Sequence, residues 1–332
     1  MPKNEKVYKF EISHRTIIFT VFLILSLRFL LIIKDLLFSL FIAFIITSAL
    51  RPILDRLVRL KIPRVLAALL VYFSFLTIFV GLLSIIFPPL IKETVQLSRN
   101  FPSIIERLTA GFSGLPYSFF NWQSLFQYIP TASNQIFNLI TRFFSNTIWF
   151  FYTLFFSFYF LVEEDAIKKI LANFLAEEKT ERIIDFINLL EKRINNWFWG
   201  QVFLMVIVGT LTYIGLNLIG IKYALPLAVL AGLLEIVPNL GPTLAAIPAI
   251  LIGFSQSPFL GISALALAIL VQQLENNLIV PLIMKKAVGL NPIITLMALI
   301  IGGKLAGVFG VLLSVPVVVL LKTFFLDFLN KK

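Results

Sequence analysis

One carboxylate stands alone in the most apolar part of this sequence. Glu235 is the only acidic or basic residue between Tyr223 and Leu274. A charged side chain at the centre of a bilayer costs roughly 2.5–3.5 kcal/mol on insertion scales, so such a residue is a functional candidate. Removal from water also favours the neutral form of a carboxyl group. We therefore expect Glu235 to exchange a proton near neutral pH.

The backbone beside Glu235 is predicted to be broken. Pro238 and Pro242 lack backbone donors, and Gly241 loosens the chain between them. Irregular backbone at membrane depth persists only where protein or water satisfies its polar groups. Many secondary transporters build substrate sites from such broken helices. Pro238, Gly241 and Pro242 are therefore predicted hinge residues, and Asn239 between them is a candidate ligand.

A second polar cluster follows the next apolar run. Its members, all candidates for binding a substrate or an ion, are Gln272, Gln273, Glu275, Asn276 and Asn277, with Asn291 further along. These amides and carboxylates suit solutes rich in hydroxyl groups. The predicted hinge residues of this second unit are Pro281, Pro292, Gly302 and Gly303. The order of carboxylate, proline and apolar run repeats that of the first unit, which suggests an inverted pair of half-sites.

The composition places these residues in an integral membrane protein. Of 332 residues, 59% are hydrophobic and only 14% are charged, which is typical of a chain that crosses a bilayer several times. The net charge of +11 fits basic cytoplasmic loops, and no basic face with stacking aromatics indicates nucleic-acid binding. The chain has no cysteine, which excludes disulfides and thiol chemistry. No small-residue cleavage site follows the first apolar run, so no cleavable signal peptide is expected.

The apolar runs predict an all-α, polytopic helical bundle of about eight membrane segments, with Pro/Gly-broken hairpins towards its C-terminal end. The predicted regions are three membrane helices in 1–89, an amphipathic insert at 90–142, a fourth membrane helix at 143–162, an amphipathic helix region at 163–199, a transport core at 200–322 and a tail at 323–332. Pro88 and Pro89 are expected to end the third helix, which begins at residue 65.

A narrow apolar stripe runs along the charged region at 163–199. Its members recur at spacings of four and three and are Ile183, Ile187, Leu190, Ile194 and Trp197. Such a stripe is typical of a helix with one buried seam. It packs either on its own chain or against a second subunit, and the second interpretation predicts a homo-oligomer.

Basic residues predict the orientation. The segments 1–15, 51–64 and 163–199 carry four, five and six Lys or Arg. Short loops rich in these residues stay in the cytoplasm. We therefore expect both termini to be cytoplasmic and the insert at 90–142 to lie outside the inner membrane of a bacterial cell.

The residues of the two broken units also carry a family resemblance. Over nearly its whole length, the chain resembles the AI-2E family of bacterial membrane proteins, also called the autoinducer-2 exporter or PerM-like permease family. The motifs that carry it most strongly lie at 200–201, 218–224, 233–242, 275–281 and 289–292. The resemblance implies an oligomeric multi-helix transporter. Some members export a furanone-type quorum signal and others are linked to cation/proton antiport, so the substrate stays open.

Enzyme chemistry is not expected from this sequence. The only histidine is His14, no aspartate lies inside an apolar run, and no glycine-rich phosphate loop is present. No cofactor or metal is therefore expected. Three functions remain: an exporter of a small polar metabolite or signal such as autoinducer-2, a cation/proton antiporter using H⁺ or Na⁺ at Glu235 and Glu275, and a membrane scaffold that does not transport. A simpler interpretation makes Glu235 a helix-end carboxylate at the water interface.

Overall fold

The computed structural model describes residues 14–111, 147–163, 173–237, 240–284 and 292–330, and within these ranges it contains helices and no strands. The helices are α1 His14–Ile32, α2 Lys34–Arg59, α3 Arg64–Gly111, α4 Thr147–Val162, α5 Glu177–Ile219, α6 Ala224–Leu234, α7 Leu240–Gln256, α8 Pro258–Leu274, a π-helical turn Glu275–Ile279, α9 Val280–Met284 and α10 Pro292–Asn330. The predicted all-α class is confirmed.

Within the described residues, five stretches of helix are long and apolar enough to cross a bilayer. They are Lys34–Arg59, Arg64–Leu82, Glu177–Ile219, Pro258–Ile283 and Phe309–Leu326. Four shorter apolar helices accompany them: Phe151–Val162, Ala224–Leu234, Gly241–Gln256 and Ile293–Gly307. Large apolar side chains on these helices remain exposed, such as Phe73 and Phe203, which suits contact with lipid. The chain is therefore a multi-pass membrane protein, as predicted.

The third helix continues well beyond its predicted end. α3 contains Pro88 and Pro89 and runs on to Gly111, a length of 48 residues. Each proline removes one backbone donor and crowds the preceding turn, but the residues on both sides support a helix. Apolar residues recur at helical spacing at Ile104, Ile105 and Leu108. The prediction that the prolines end this helix was wrong, and the boundary expected at 89/90 lies inside it.

One long helix, α5, spans two of the predicted regions. It joins the predicted amphipathic region at 163–199 to the fifth membrane helix without a break, over 43 residues. Gly220, with a left-handed φ of 84°, ends it. Leu190, Ile194 and Trp197 of the apolar stripe are buried against α2 and α10. This part of the stripe therefore packs on its own chain, which is the first of its two interpretations.

The helices α5 to α8 share a core that holds the candidate site. Val208, Ala231, Ala245 and Val271 form a buried cluster with one residue from each of these four helices. α5 and α6 approach closely, because a Cβ atom on Gly232 would lie 2.8 Å from the Met205 carbonyl oxygen. Small residues permit such close packing between membrane helices.

The C-terminal apolar run forms a hairpin. The backbone leaves the helical region at Ala306 and Gly307, where Gly307 has a φ of 59°. The Ser314 hydroxyl donates to the Ala298 carbonyl at 2.9 Å across the hairpin. The turn of the hairpin therefore lies at Ala306 and Gly307, after the predicted hinge residues Gly302 and Gly303. Glycine suits position 307, because only glycine readily adopts that backbone conformation.

Gly302 has a packing role in this hairpin instead of a hinge role. A Cβ atom on Gly302 would overlap the Gly310 carbonyl, and one on Gly310 would overlap the Gly302 carbonyl. The two arms therefore touch backbone to backbone at this glycine pair. Pro316, which the resemblance also includes, lies inside the helix of the second arm.

Candidate functional site

The helix is broken where the prolines predict it. α6 ends at Leu234, the chain turns through residues 235–237, and α7 begins at Leu240. The Gly241 amide donates to the Val237 carbonyl at 2.9 Å and starts the new helix. Pro238 and Asn239 lie outside the described residues. The break separates two short helices of 11 and 17 residues.

Gly241 and Pro242 have distinct roles at this break. A Cβ atom on Gly241 would overlap the carbonyl group of Leu234, so any larger residue would push α6 and α7 apart. Pro242 lies in the first turn of α7, where a backbone donor has no helical partner and proline is tolerated. The sequence therefore fits the break residue by residue.

Glu235 lies at the end of α6 but is not at a water interface, since only 1% of it is exposed. Its amide donates to the Ala231 carbonyl at 3.1 Å. Its own carbonyl accepts a hydrogen bond of 2.8 Å from the side-chain amide of Gln201, which is also buried. The last carbonyls of a helix have no partner within it, so Gln201 of α5 stabilises the broken end.

Sequence reasoning assigned no role to Gln201. The signal was available, because this amide opens the apolar half of α5 and belongs to a motif that carries the family resemblance. The sequence does not indicate the hydrogen-bond partner of Gln201, because the bond spans 34 residues and joins a side chain to a backbone oxygen.

Glu275 begins a π-helical turn and is likewise 1% exposed. The amide of Val280 donates to the Glu275 carbonyl five residues back, which is the wider π-helical pattern. Single π-turns occur frequently at functional sites. Pro281, a predicted hinge residue, follows this turn inside a continuing helix. In the second unit the helix continues through a wider π-helical turn, whereas in the first unit the helix is broken. The two units therefore differ in backbone structure.

The two buried carboxylates lie near each other. Glu235 is close enough to Glu275 for their charges to interact. One oxygen of each, Oε2, is buried without a hydrogen-bond partner among the described residues. Two adjacent carboxylates in a dry site resist being charged together. The arrangement therefore suits binding of a proton or a cation at these carboxylates.

The other predicted ligands do not join this pair. Gln272 is half-buried, while Gln273, Asn276 and Asn277 are exposed. Asn277 donates instead to the Gln273 side chain at 2.7 Å, one turn away on the same helix face. Asn291 lies outside the described residues, and Pro292 is the first residue of α10. Of the described members of this cluster, Glu275 alone is fully buried.

Comparisons with known proteins agree with this architecture. A model of the AI-2E transporter family matches residues 17–330. YueF of Bacillus subtilis, named as a candidate transport protein, is 30% identical over 321 residues, which cover 90% of this chain and 86% of YueF. YrrI of the same organism is 25% identical and carries the same kind of name, with 92% of this chain and 90% of YrrI covered. PerM of Escherichia coli, named as a candidate permease, is 30% identical over 137 residues, 40% of this chain and 38% of PerM.

Proposed function

Since this chain belongs to the AI-2E transporter family, we propose that it moves a small polar solute across a bacterial inner membrane by ion-coupled secondary transport. The family and the membrane-crossing helices establish the membrane transporter class. The coupling site that we propose is the pair Glu235 and Glu275. The observation that carries this proposal is the burial of both carboxylates, each 1% exposed, within range of an electrostatic interaction with each other.

The pair can couple two binding events through charge. With one proton bound the pair carries a single negative charge. A cation that competes for the carboxylate oxygens holding the proton would displace it, so that the pair binds either a proton or a cation. The broken end of α6 and the π-helical turn are irregular backbone next to the two carboxylates, and other transporters bind ions at interrupted helices.

The transported solute is proposed to be a small polar metabolite or signal, with autoinducer-2 as a candidate, and export as the direction. Gln272 places a half-buried amide group near the end of α8, three residues before Glu275. An amide both donates and accepts hydrogen bonds, which suits a hydroxyl-rich solute. We propose that both termini are cytoplasmic, that residues 90–142 lie outside, and that the protein works as a homo-oligomer.

A second candidate function is cation/proton antiport, in which the pair itself binds the transported Na⁺. The unpartnered Oε2 atoms favour it, since a carboxylate oxygen is a hard ligand suited to such an ion. A membrane scaffold has no comparable support, because Leu190, Ile194 and Trp197 of the stripe that would bind a partner are buried within the chain.

The test is transport by the purified protein in liposomes with an imposed pH gradient. Internal pH is followed on addition of Na⁺, and efflux of the loaded solute is followed in parallel. We expect Glu235→Gln and Glu275→Gln each to abolish gradient-driven transport. The matched control is Glu181→Gln, which removes an exposed carboxylate from α5.

The outcomes separate the two candidates. Proton movement driven by Na⁺ alone supports antiport, and proton movement only in the presence of the solute supports coupled export. Gradient-driven transport by both Gln variants at the parent rate would show that the pair does not couple transport.

A further inference from the structure

A polar cleft lies between α2 and α5, well away from the carboxylate pair. Its volume is about 440 Å³, within the range of small-molecule sites. It is lined by Ser48, Arg51, Pro52, Asp55, Arg56, Arg59, Asn188, Glu191, Lys192 and Asn195. Glu191 is ten residues before Gln201 on α5, so the cleft is roughly 15 Å from the carboxylate pair along that helix.

The cleft carries an excess of positive charge. Arg51 pairs with Glu191 at 2.5 Å, and this pair holds the two walls together. The remaining charged groups are three cations and one carboxylate: Arg56, Arg59, Lys192 and Asp55. Within the described part of the chain, none of these three cations forms an ion pair, and all three are exposed.

The three cations come from both walls of the cleft. Arg56 and Arg59 are three residues apart in the last turn of α2, so they share one helix face. Basic residues there also offset the helix dipole, but that role does not explain Lys192 on the opposing helix. A guanidinium group binds phosphate oxygens with two parallel hydrogen bonds, and a lysine adds a compact point charge.

Two buried polar atoms in the walls of the cleft have no hydrogen-bond partner among the residues that the structure describes, the donor Arg51 Nε and the acceptor Asn195 Oδ1. The Glu191 carboxylate accepts from a different nitrogen of Arg51, Nη1. Both unpartnered atoms are inaccessible to solvent, so the exposed cations Arg56, Arg59 and Lys192 are the groups that an anion in the cleft would contact.

We propose that this cleft binds one phosphoryl group, from the headgroup of an anionic phospholipid or from a free phosphate ion. The cleft lies at the end of the membrane-crossing helix Lys34–Arg59, where basic pockets between helices meet lipid headgroups. The proposal concerns a site separate from Glu235 and Glu275 and does not depend on what is transported.

Thermal unfolding of the full-length protein in mild detergent, stripped of lipid, tests the proposal. The probes are short-chain phosphatidylglycerol, short-chain phosphatidylcholine and inorganic phosphate, each titrated separately. A ligand that binds only the folded state raises the midpoint temperature. We expect phosphatidylglycerol to raise it more than phosphatidylcholine, whose choline cation offsets the phosphate charge. An equal rise with inorganic phosphate would identify free phosphate as the source, and no rise with it would identify the lipid.

The double variant Arg56→Gln/Arg59→Gln leaves the Arg51–Glu191 pair in place. We expect it to weaken binding of the effective probe by roughly tenfold or more, since it removes two charge-assisted hydrogen-bond donors to the phosphoryl oxygens. The control Lys179→Gln/Lys222→Gln removes two exposed cations elsewhere and should bind as the parent does. Should the double variant fail to fold, Lys192→Gln replaces it, with a smaller loss expected. No shift with either phosphatidylglycerol or phosphate, or an unchanged shift in the cleft variants, would overturn the proposal.

Discussion

Buried carboxylates occupy two regions of this molecule and have opposite surroundings. Glu191, between α5 and α2, is paired with Arg51 at 2.5 Å. Glu235, at the end of α6, and Glu275, in the π-helical turn, interact electrostatically with each other, and their Oε2 atoms have no partner in the described structure. All three are at most 9% exposed. Burial alone therefore does not distinguish a structural carboxylate from a functional one.

The difference between the two regions lies in how charge is neutralised. At Glu191 the chain supplies its own cation, so the site is complete and can hold two helices together. At Glu235 and Glu275 the neutralising charge must come from outside, as a proton or a cation. Burying a charge without a partner costs free energy. We therefore expect such a pair where the protein uses the exchange of that external charge.

Removal of the cation from the complete site should have the largest effect on stability. Arg51→Gln leaves the Glu191 carboxylate without its guanidinium, and breaking a buried ion pair in this way costs about 3–5 kcal/mol. The two side chains are 18% and 11% exposed, so we expect a loss near 3 kcal/mol. Unfolding by denaturant in detergent measures this loss.

The double variant Arg51→Leu/Glu191→Leu serves as the control for that measurement, because it removes both charges at once. It should be more stable than Arg51→Gln. If Arg51→Gln matched the parent protein in stability, Glu191 would not depend on Arg51, and the contrast between the two regions would be lost.

A substitution at Gly241 can disturb the backbone break beside Glu235 without changing the charge of the site. In Gly241→Ala the new methyl group would overlap the Leu234 carbonyl, and overpacking of this kind costs about 1–3 kcal/mol. We expect transport to fall along with stability. The control is Gly81→Ala in α3, where a Cβ atom would meet nothing within 4 Å; a better helix former there should raise stability slightly. Equal stabilities of the two variants would show that the break tolerates a side chain.

The sequence predicted the break and its carboxylate because both signals are local. A charge in an apolar run and a Pro-Asn-Leu-Gly-Pro segment are visible without any partner. It did not predict which members of the second cluster face inward, because Gln273, Glu275 and Asn277 are all polar and lie within five residues. The π-helical turn that begins at Glu275 changes the helical spacing there, and such a turn is not visible in the sequence. The helix through Pro88 and Pro89 was missed because proline lowers helix stability without forbidding a helix.

Long-range partners explain the remaining gap between sequence and structure. The bond from Gln201 to the Glu235 carbonyl spans 34 residues, and the Arg51–Glu191 pair spans 140. Neither has a periodicity that a pattern could detect. Each joins α5 to another helix, so the long helix links both carboxylate regions in a way that only the fold reveals.

The Gln201 bond should have an intermediate effect. Gln201→Leu keeps an apolar side chain of similar length but leaves the buried carbonyl of Glu235 without its donor, which costs about 1–3 kcal/mol. The control Gln273→Leu removes an exposed amide from α8 and should change stability little. We expect Gln201→Leu to slow transport in liposomes, while Gln273→Leu transports at the parent rate. Unchanged transport by Gln201→Leu would mean that this bond does not position the site.

Glu235→Gln is expected to change stability least, although it should reduce transport most. Glu235→Gln and Glu191→Gln are the same substitution in the two regions. Glu191→Gln leaves the Arg51 guanidinium without a carboxylate, so it should lose about 3 kcal/mol. Glu235→Gln keeps the shape of the side chain and removes a charge that the described residues do not neutralise. Its stability should therefore stay within about 1 kcal/mol of the parent protein. Side-by-side denaturant unfolding decides the matter, and a loss at Glu235 as large as that at Glu191 would mean that Glu235 is paired and structural.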